Sequence, residues 1–479
     1  STGACIGSVA IIQTQGEIDE LVPINVGGPS NVFWTRYNGH DPETSKPGVI
    51  EPCVDYSDLD FGIEPYPVQW CQHPDGHPWQ EFNSEAFWTF FKGLPLAERV
   101  LRYTAGEDHR LDARLVPYDV RGSIAHAEML AAAGLITNAD SEAIRRGLHD
   151  LEASFAAGEW SITLEDEDVH TALESHLTAT IGEAGARLHL GRSRNDQVLT
   201  ALRLYLLDAS EDLATRVQAL RDALAGVADR QGEVELPGYT HMQQAMPSTV
   251  ALWSGGFDEA FADAIEGLQA CRRRADKNPL GSAAGYGTPG LPLDREMTTE
   301  KLGFAATQTP VTAAQLSRGK AESALLFEIT LLLQDLGRMA TDLLLFYTQE
   351  FAYVSLAADV TTGSSIMPQK RNPDVLELLR ASSATAQACL DESLMITAKL
   401  QSGYHRDLQR LKPPLFRGID LAIDSVDIMA LVLEGLSFRP ENIRLDDGIF
   451  ATAQAYRLVT EEGLPFPDAY RQIAKRYSK

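Results

Sequence analysis

One helical stripe constrains this chain more than any other feature. Between Leu202 and Val227 the apolar residues Leu202, Leu206, Ala209, Leu213, Val217, Leu220, Leu224 and Val227 recur every three or four positions. That period is one face of a continuous α-helix about seven turns long. An apolar face so extended needs other helices beside it, and the spacing predicts them. A second helix is expected from Ser248 to about Lys277, where Asn278-Pro279 stops it, and a third from Ala314 to about Phe351. Long helices in series make a mainly α fold, a bundle whose members run side by side. Their stripes can also be buried against further copies, so a homo-oligomer is expected. The run Ala324–Tyr347 carries Glu328, Asp335, Arg338 and Asp342, which argues against a membrane span.

Charge narrows the partners. Asp and Glu number 67 against 41 Lys and Arg, a net charge of −26. Such a surface repels phosphate backbones and anionic lipid, so neither nucleic acid nor membrane is expected. An anionic substrate then requires a locally basic pocket. The five cysteines (Cys5, Cys53, Cys71, Cys271, Cys389) form no close-spaced ligand pattern and fit a reducing compartment, although Cys53 and Cys71 could pair. No signal-like segment opens the chain, and a soluble cytoplasmic protein is expected.

Composition also divides the chain. Residues 1–92 are rich in Pro, Gly, Trp and Cys, with a β-like run at Ser8–Gln13, and read as a small irregular α/β extension. From about Leu94 the text turns to Ala, Leu, Glu and Arg. A helical domain is expected over 93–200, the central bundle over 201–444 and a small helical domain over 445–479 that stops early.

Polar, turn-rich segments separate the helices at 189–197, 236–247, 278–290 and 361–374. Loops held by a rigid scaffold are where catalytic groups usually lie. In Thr361-Thr-Gly-Ser-Ser-Ile-Met-Pro-Gln-Lys-Arg-Asn-Pro-Asp374, a flexible glycine precedes two hydroxyls, and a lysine and an asparagine follow. Such a loop can set a serine base or nucleophile beside carboxylate-binding Lys370 and Asn372. An anonymous string of this kind would be a surface loop with a helix cap. This one resembles the signature loop of the fumarase/aspartase superfamily, Gly-Ser-Ser-x-Met-Pro-x-Lys-x-Asn. The resemblance implies that Ser364 removes a proton from the carbon beside a substrate carboxylate. Lys370 and Asn372 would then stabilise the extra negative charge of the aci-carboxylate, a kind of assistance typically worth about 3–4 kcal/mol per preorganised donor.

Other loops choose within the superfamily. His189-Leu-Gly-Arg-Ser-Arg-Asn-Asp-Gln-Val198 is similar to a string typical of the argininosuccinate lyase family. The resemblance implies substrate contacts from Ser193, Arg194 and Asn195; alone, Arg192 and Arg194 would read as surface charges. Leu236-Pro-Gly-Tyr-Thr-His-Met-Gln243 resembles the family's Pro-Gly-Tyr-Thr-His-Leu-Gln, with Met242 where leucine is usual. Thr240 would bind substrate and His241 would protonate the leaving nitrogen, a role its near-neutral ordinary pKa suits. Glu165-Asp-Glu-Asp-Val-His170 resembles another segment and implies Asp168 and His170 near the site. Clustered acids also suggest a metal, but this segment offers no helical i, i+4 His pair and the family needs none, so no metal or organic cofactor is expected. Gly403-Tyr-His-Arg-Asp-Leu-Gln-Arg-Leu-Lys412 matches the segment that holds the amino-acid end of the arginine moiety, implying Tyr404, Gln409 and Lys412. Asp119-Val-Arg-Gly-Ser-Ile-Ala-His126 and Asn278-Pro-Leu-Gly-Ser-Ala-Ala-Gly-Tyr286 agree further.

The resemblance spans about residues 97–479. It implies splitting of argininosuccinate into arginine and fumarate, by a homotetramer whose sites gather loops from three subunits. Two departures stand out: the family's usual Trp-Gly-Gly-Arg-Phe-like opening is absent, and the far end is short. Tyr103-Thr-Ala-Gly-Glu-Asp108 is instead similar to a branch with a shorter beginning. Residues 1–92 resemble the last part of an α/β-hydrolase, through Gly16–Pro23 and Trp70–Trp79, with Asp19 and His77 in the order of two triad members. With no nucleophile elbow before them, no esterase activity is expected. Two rival functions remain: a lyase of the same superfamily acting on another N-substituted succinate, and a catalytically impaired helical scaffold.

Overall fold

The computed structural model describes residues 11–16, 46–47, 53–55, 68–73 and 98–477. The chain divides into two compact units, Ser1–Tyr103 and Thr104–Lys479.

Within the first unit the described strands form one small open sheet. Its strands are β1 (Ile11–Gly16), β2 (Lys46–Pro47), β3 (Cys53–Asp55) and β4 (Val68–His73), in the order β1-β4-β3-β2. Only β1 and β4 pair in parallel; β4–β3 and β3–β2 are antiparallel. An α/β-hydrolase end is instead a parallel sheet with helices crossing between its strands. The hydrolase expectation for residues 1–92 is therefore corrected, and Asp19 and His77 lie outside the described residues. Cys53 and Cys71 stand opposite each other across β3 and β4.

The second unit is helical. Its principal helices are α1 (Val116–Ala132), α2 (Asn138–Ala156), α3 (Val169–Ile181), α4 (Arg194–Gln231), α5 (Val250–Ala275), α6 (Lys320–Tyr347), α7 (Asp374–Thr397), α8 (Lys412–Glu434), α9 (Ala451–Glu462) and α10 (Phe466–Tyr477). The fold is mainly α, a bundle of long helices. The stripe that predicted α4 is buried throughout, from Leu202 to Val227. It packs into one core with Leu325, Leu332 and Leu336 of α6 and Leu415, Ile419 and Val426 of α8. The third expected helix is broken. A five-residue helix, Thr312–Leu316, ends before Gly319, which takes φ +82° and passes so near Thr397 that a Cβ would lie 2.5 Å from its methyl group. Only glycine tolerates that conformation and that contact together.

Direction matters more than composition for the site. Tyr205 stacks on Phe416, Arg216 pairs with Asp427, and Arg230 donates to the Leu433 carbonyl, so α4 and α8 run parallel. Ser323 bonds Ser393 while Gly337 passes Arg380, so α6 and α7 run antiparallel. The starts of α4, α6 and α8 and the end of α7 thus share one end of the bundle. Two hairpins sit beyond the other end: β5 (Glu235–Thr240) with β6 (Gln243–Thr249), and β8 (Thr362–Gly363) with β9 (Arg371–Asn372). A further two-residue pair joins β7 (Val354–Ser355) to β10 (Ser437–Phe438). Helix α4 runs across the boundary expected at 200/201. Among the described residues no helix is long and apolar enough to cross a membrane.

Candidate active site

A cleft of about 270 Å³ opens where those helix ends meet. It is lined by Asp168, His170, Ser193, Arg194, Asn195, Tyr404, Gln409 and Lys412, all singled out from the sequence, together with Asp108, Val198, Arg318 and Arg406.

Capping builds one wall. Ser193 caps α4, accepting from the Asn195 N–H at 3.3 Å, and Asp196 returns the bond by accepting from the Ser193 N–H at 2.9 Å. The second Asp196 oxygen accepts from the N–H groups of Gly281 and Ala283, at 2.9 and 2.7 Å. One buried carboxylate thus ties the 278–290 loop to the start of α4. Asp168 caps α3 by accepting from the Thr171 N–H at 2.9 Å, and its other oxygen lies 3.3 Å from Arg194 Nε. Arg194 also donates to Thr171 Oγ1 at 2.8 Å.

The opposite wall comes from the Arg406–Leu411 3-10 helix and the first residue of α8. Gln409 donates to the carbonyls of Thr104 and Ala105, and Arg406 reaches Glu167 at 2.8 Å. Lys412 is 2% exposed and sits between two carboxylates, Asp108 at 2.7 Å and Asp112 at 2.6 Å. Burial alone would lower the ammonium's pKa, but the two carboxylates outweigh it and raise it. Asp108 is pushed up to about 6, by burial first, against the pull of Lys412 and with the repulsion of Asp112. The Arg318 guanidinium lies 5.9 Å from the Tyr404 ring centre, and the residue is buried. Among the described residues no group of His, Cys, Asp and Glu is arranged to hold a metal ion.

Five of the residues chosen from the sequence lie elsewhere. Thr240 and His241 are exposed at the β5–β6 turn, where His241 and Met242 both take positive φ, 52° and 62°. Ser364, Lys370 and Asn372 lie on the β8–β9 hairpin. Ser364 Oγ accepts from the N–H groups of Ile366 at 3.3 Å and Met367 at 3.0 Å, which favours an anionic oxygen there. Asn372 donates to Thr362 Oγ1, which donates in turn to Asp374. Lys370 is exposed.

Helix length separates these groups. The 38 residues of α4 span about 57 Å at ~1.5 Å each, from Ser193 to the start of the β5–β6 hairpin. The six residues of β5 can return only about 20 Å of that. The 24 residues of α7 put about 36 Å between its start, next to the Ser364 hairpin, and its end beside the cleft.

A model of the family described as Lyase matches residues 99–388. The chain is 46% identical to the argininosuccinate lyase of Sorangium cellulosum over 385 residues, 80% of this chain and 89% of that one. It is 38% identical to that of Thermotoga neapolitana over 398 residues, 83% of this chain and 99% of the relative. The chain belongs to the argininosuccinate lyase family. These matches to lyases give the hydrolase reading of residues 1–92 no support. Among solved structures, EDDS lyase in complex with formate superposes with a TM-score of 0.69 at 27% identity, covering 78% of this chain and 74% of that one. A class II fumarase from Schistosoma mansoni shares the fold, with a TM-score of 0.65 at 18% identity, covering 78% and 91%.

Sequence reading passed over Asp108, Asp112 and Arg318 as site residues of this lyase. Asp108 ends a segment that resembled a family branch, so a signal was present. Arg318 lies in no matched segment, and only the start of α6 beside the cleft reveals it.

Proposed function

We propose that this family member carries out the argininosuccinate lyase reaction itself, β-elimination of argininosuccinate to arginine and fumarate. The observation that carries the reading is the convergence of Ser193–Asn195 with Tyr404, Gln409 and Lys412 on one cleft, from segments about two hundred residues apart in sequence. In this reading the cleft holds substrate carboxylates and the amino-acid end of the arginine moiety. Ser364 takes the proton, its oxygen favoured as an anion by two N–H donors. Lys370 and Asn372 steady the aci-carboxylate, Thr240 binds substrate, and His241 protonates the departing guanidino nitrogen. The acid and base come from side chains alone.

A site so divided needs several copies of the chain. Within one protomer the cleft is tens of ångströms from both hairpins, a distance no near-attack geometry spans. The hairpins also leave Ile366 82% and Met242 68% exposed, as protruding tips that enter a neighbour's site would be. With the family resemblance, this supports reading the protein as a homotetramer with shared sites, and active monomer in a dilution series would refute it. Buried free thiols at Cys271 and Cys389 suit the reducing cytoplasm.

The deciding assay is fumarate release from argininosuccinate by the purified chain and its Ser364→Ala variant. Turnover in the parent and at least a thousandfold loss in the variant are expected. A folded tetramer inert toward argininosuccinate but active on another N-substituted succinate would overturn the substrate assignment.

A further inference from the structure

His170 is a buried histidine with one ring nitrogen committed to a carboxylate. Its ring is 3% exposed, and Nδ1 lies 2.7 Å from Asp119 Oδ2. Nε2 is equally buried and has no hydrogen-bond partner among the described residues. An orphaned buried nitrogen is costly, and His126 Nδ1 carries the same cost in the core, but His170 differs from it in facing the substrate cleft. The residue also lines two cavities: the substrate cleft and an adjoining one of about 630 Å³ bordered by Thr171, Glu174, His189, Arg194 and Gln197.

Asp119 is itself fixed from several sides. Gln197 Nε2 donates to both of its oxygens, at 2.9 and 3.2 Å, and Ser123 donates to Oδ1 at 3.3 Å. Arg192 donates to Ser123 Oγ at 2.8 Å. Asp119 and Ser123 are one turn apart on α1, which gives the Asp119–His126 segment a physical purpose that no substrate contact supplies. A ring gripped this firmly at one nitrogen has its other nitrogen aimed in one direction.

We infer that Asp119 is a positioning residue of the lyase site: it fixes His170 through Nδ1 so that Nε2–H is presented to a carboxylate of the bound substrate. This deepens the proposed lyase reading and rests on it. The charged and titratable groups around the ring are Asp112 and Asp119 from the preceding helical segments, Asp168 at the start of α3, Glu174 and His189 on the adjoining cavity, Arg192, and Arg194 at the start of α4; Lys412 and Asp108 stand across the cleft. Burial disfavours the imidazolium, but Asp119 first, then Asp168 and Asp112, outweigh it and raise the pKa. The ring therefore stays a donor to higher pH than a free histidine does.

The test is a double-mutant cycle on fumarate release. Asp119→Asn keeps the shape and removes the charge. It should raise KM about tenfold to a hundredfold, the worth of one hydrogen bond to a charged group, with kcat changed less than about twofold. Introduced into His170→Gln, the same substitution should add nothing, because its effect runs through the ring. An equal penalty in both backgrounds would overturn the proposal. The parent enzyme supplies a second measurement, should Asp119→Asn not fold. Its KM should begin to rise only above the ordinary histidine range, about 6.5. A rise at or below that range, or none, counts against the proposal. Should argininosuccinate not be turned over at all, the reaction assignment fails separately. Calorimetric binding of succinate and of arginine to the parent, to Asp119→Asn and to His170→Gln then decides: weakening of the same ligand in both variants supports the positioning role, and parent-like binding of both ligands in Asp119→Asn ends it.

Discussion

Removing one charge from the cleft should stabilise this protein. Asp108 and Asp112 share the single ammonium of Lys412 in a buried setting, so one negative charge is left over. With burial as the leading cause, the Asp108 pKa moves from 3.8 to about 6. A carboxyl whose folded pKa is raised contributes stability below its unfolded pKa and loses it as pH rises through the folded one. The raised Asp108 pKa therefore costs roughly 1–2 kcal/mol at pH 5, where the folded carboxyl is still mostly protonated, and about 3 kcal/mol at pH 8, where it is ionised, relative to a permanently neutral group in its place. Asp108→Asn keeps an acceptor for Lys412 and leaves the Lys412–Asp112 pair whole. Urea unfolding at fixed protein concentration should show the variant more stable by about these amounts, with the gain vanishing below about pH 4. A gain equal at pH 5 and pH 8, or none at pH 8, would refute the reasoning. Substrate binding should suffer meanwhile, since Asp108 lines the cleft, and strained charge at a site commonly trades stability for activity.

Two further outcomes follow from buried groups. Asp196→Ala strips partners from three backbone N–H groups, those of Ser193, Gly281 and Ala283. Thermal or urea unfolding should register a loss of about 3–6 kcal/mol, and KM should rise as the 278–290 loop comes free. His126 is buried, bonds the Leu190 carbonyl at 2.8 Å, and has its pKa pushed down to about 3, by burial first and then by Arg192. A depressed folded pKa means stability present above about 6.5 and lost as pH falls toward 3, on the order of 5 kcal/mol in all. His126→Gln should flatten that acid limb in a pH series of unfolding midpoints; an unchanged limb would exclude His126 as its source.

The long helices were legible because periodicity is local. Leu202 to Val227 announces a stripe, and a stripe of that length admits little but a helix. The prediction nevertheless began too late. The first turns of α4 bury Asp196, Gln197, Thr200 and Arg203, polar residues of the site and its supports, which interrupt the apolar rhythm. The third helix was predicted whole because nothing local marks Gly319 as a break. Its left-handed turn passes close against Thr397 of another helix. The site residues were legible as strings that resemble a family, and eight of them do line one cleft.

By itself, then, the sequence determined that long helices run through the chain and which loops are candidates for the site, but not where each helix begins or breaks. Tertiary structure decided which loops meet. Parallel packing of α4 on α8 brings Asn195 to Lys412, while the same helix lengths carry Ser364 and His241 to the far end. It also decided which charges are strained: Asp108 and Asp119 are both carboxylates in similar-looking text. Burial beside a second acid raises one, and His170, with Gln197 behind it, holds the other low. Local pattern cannot encode such differences, because desolvation and partner distance exist only once remote segments have packed together.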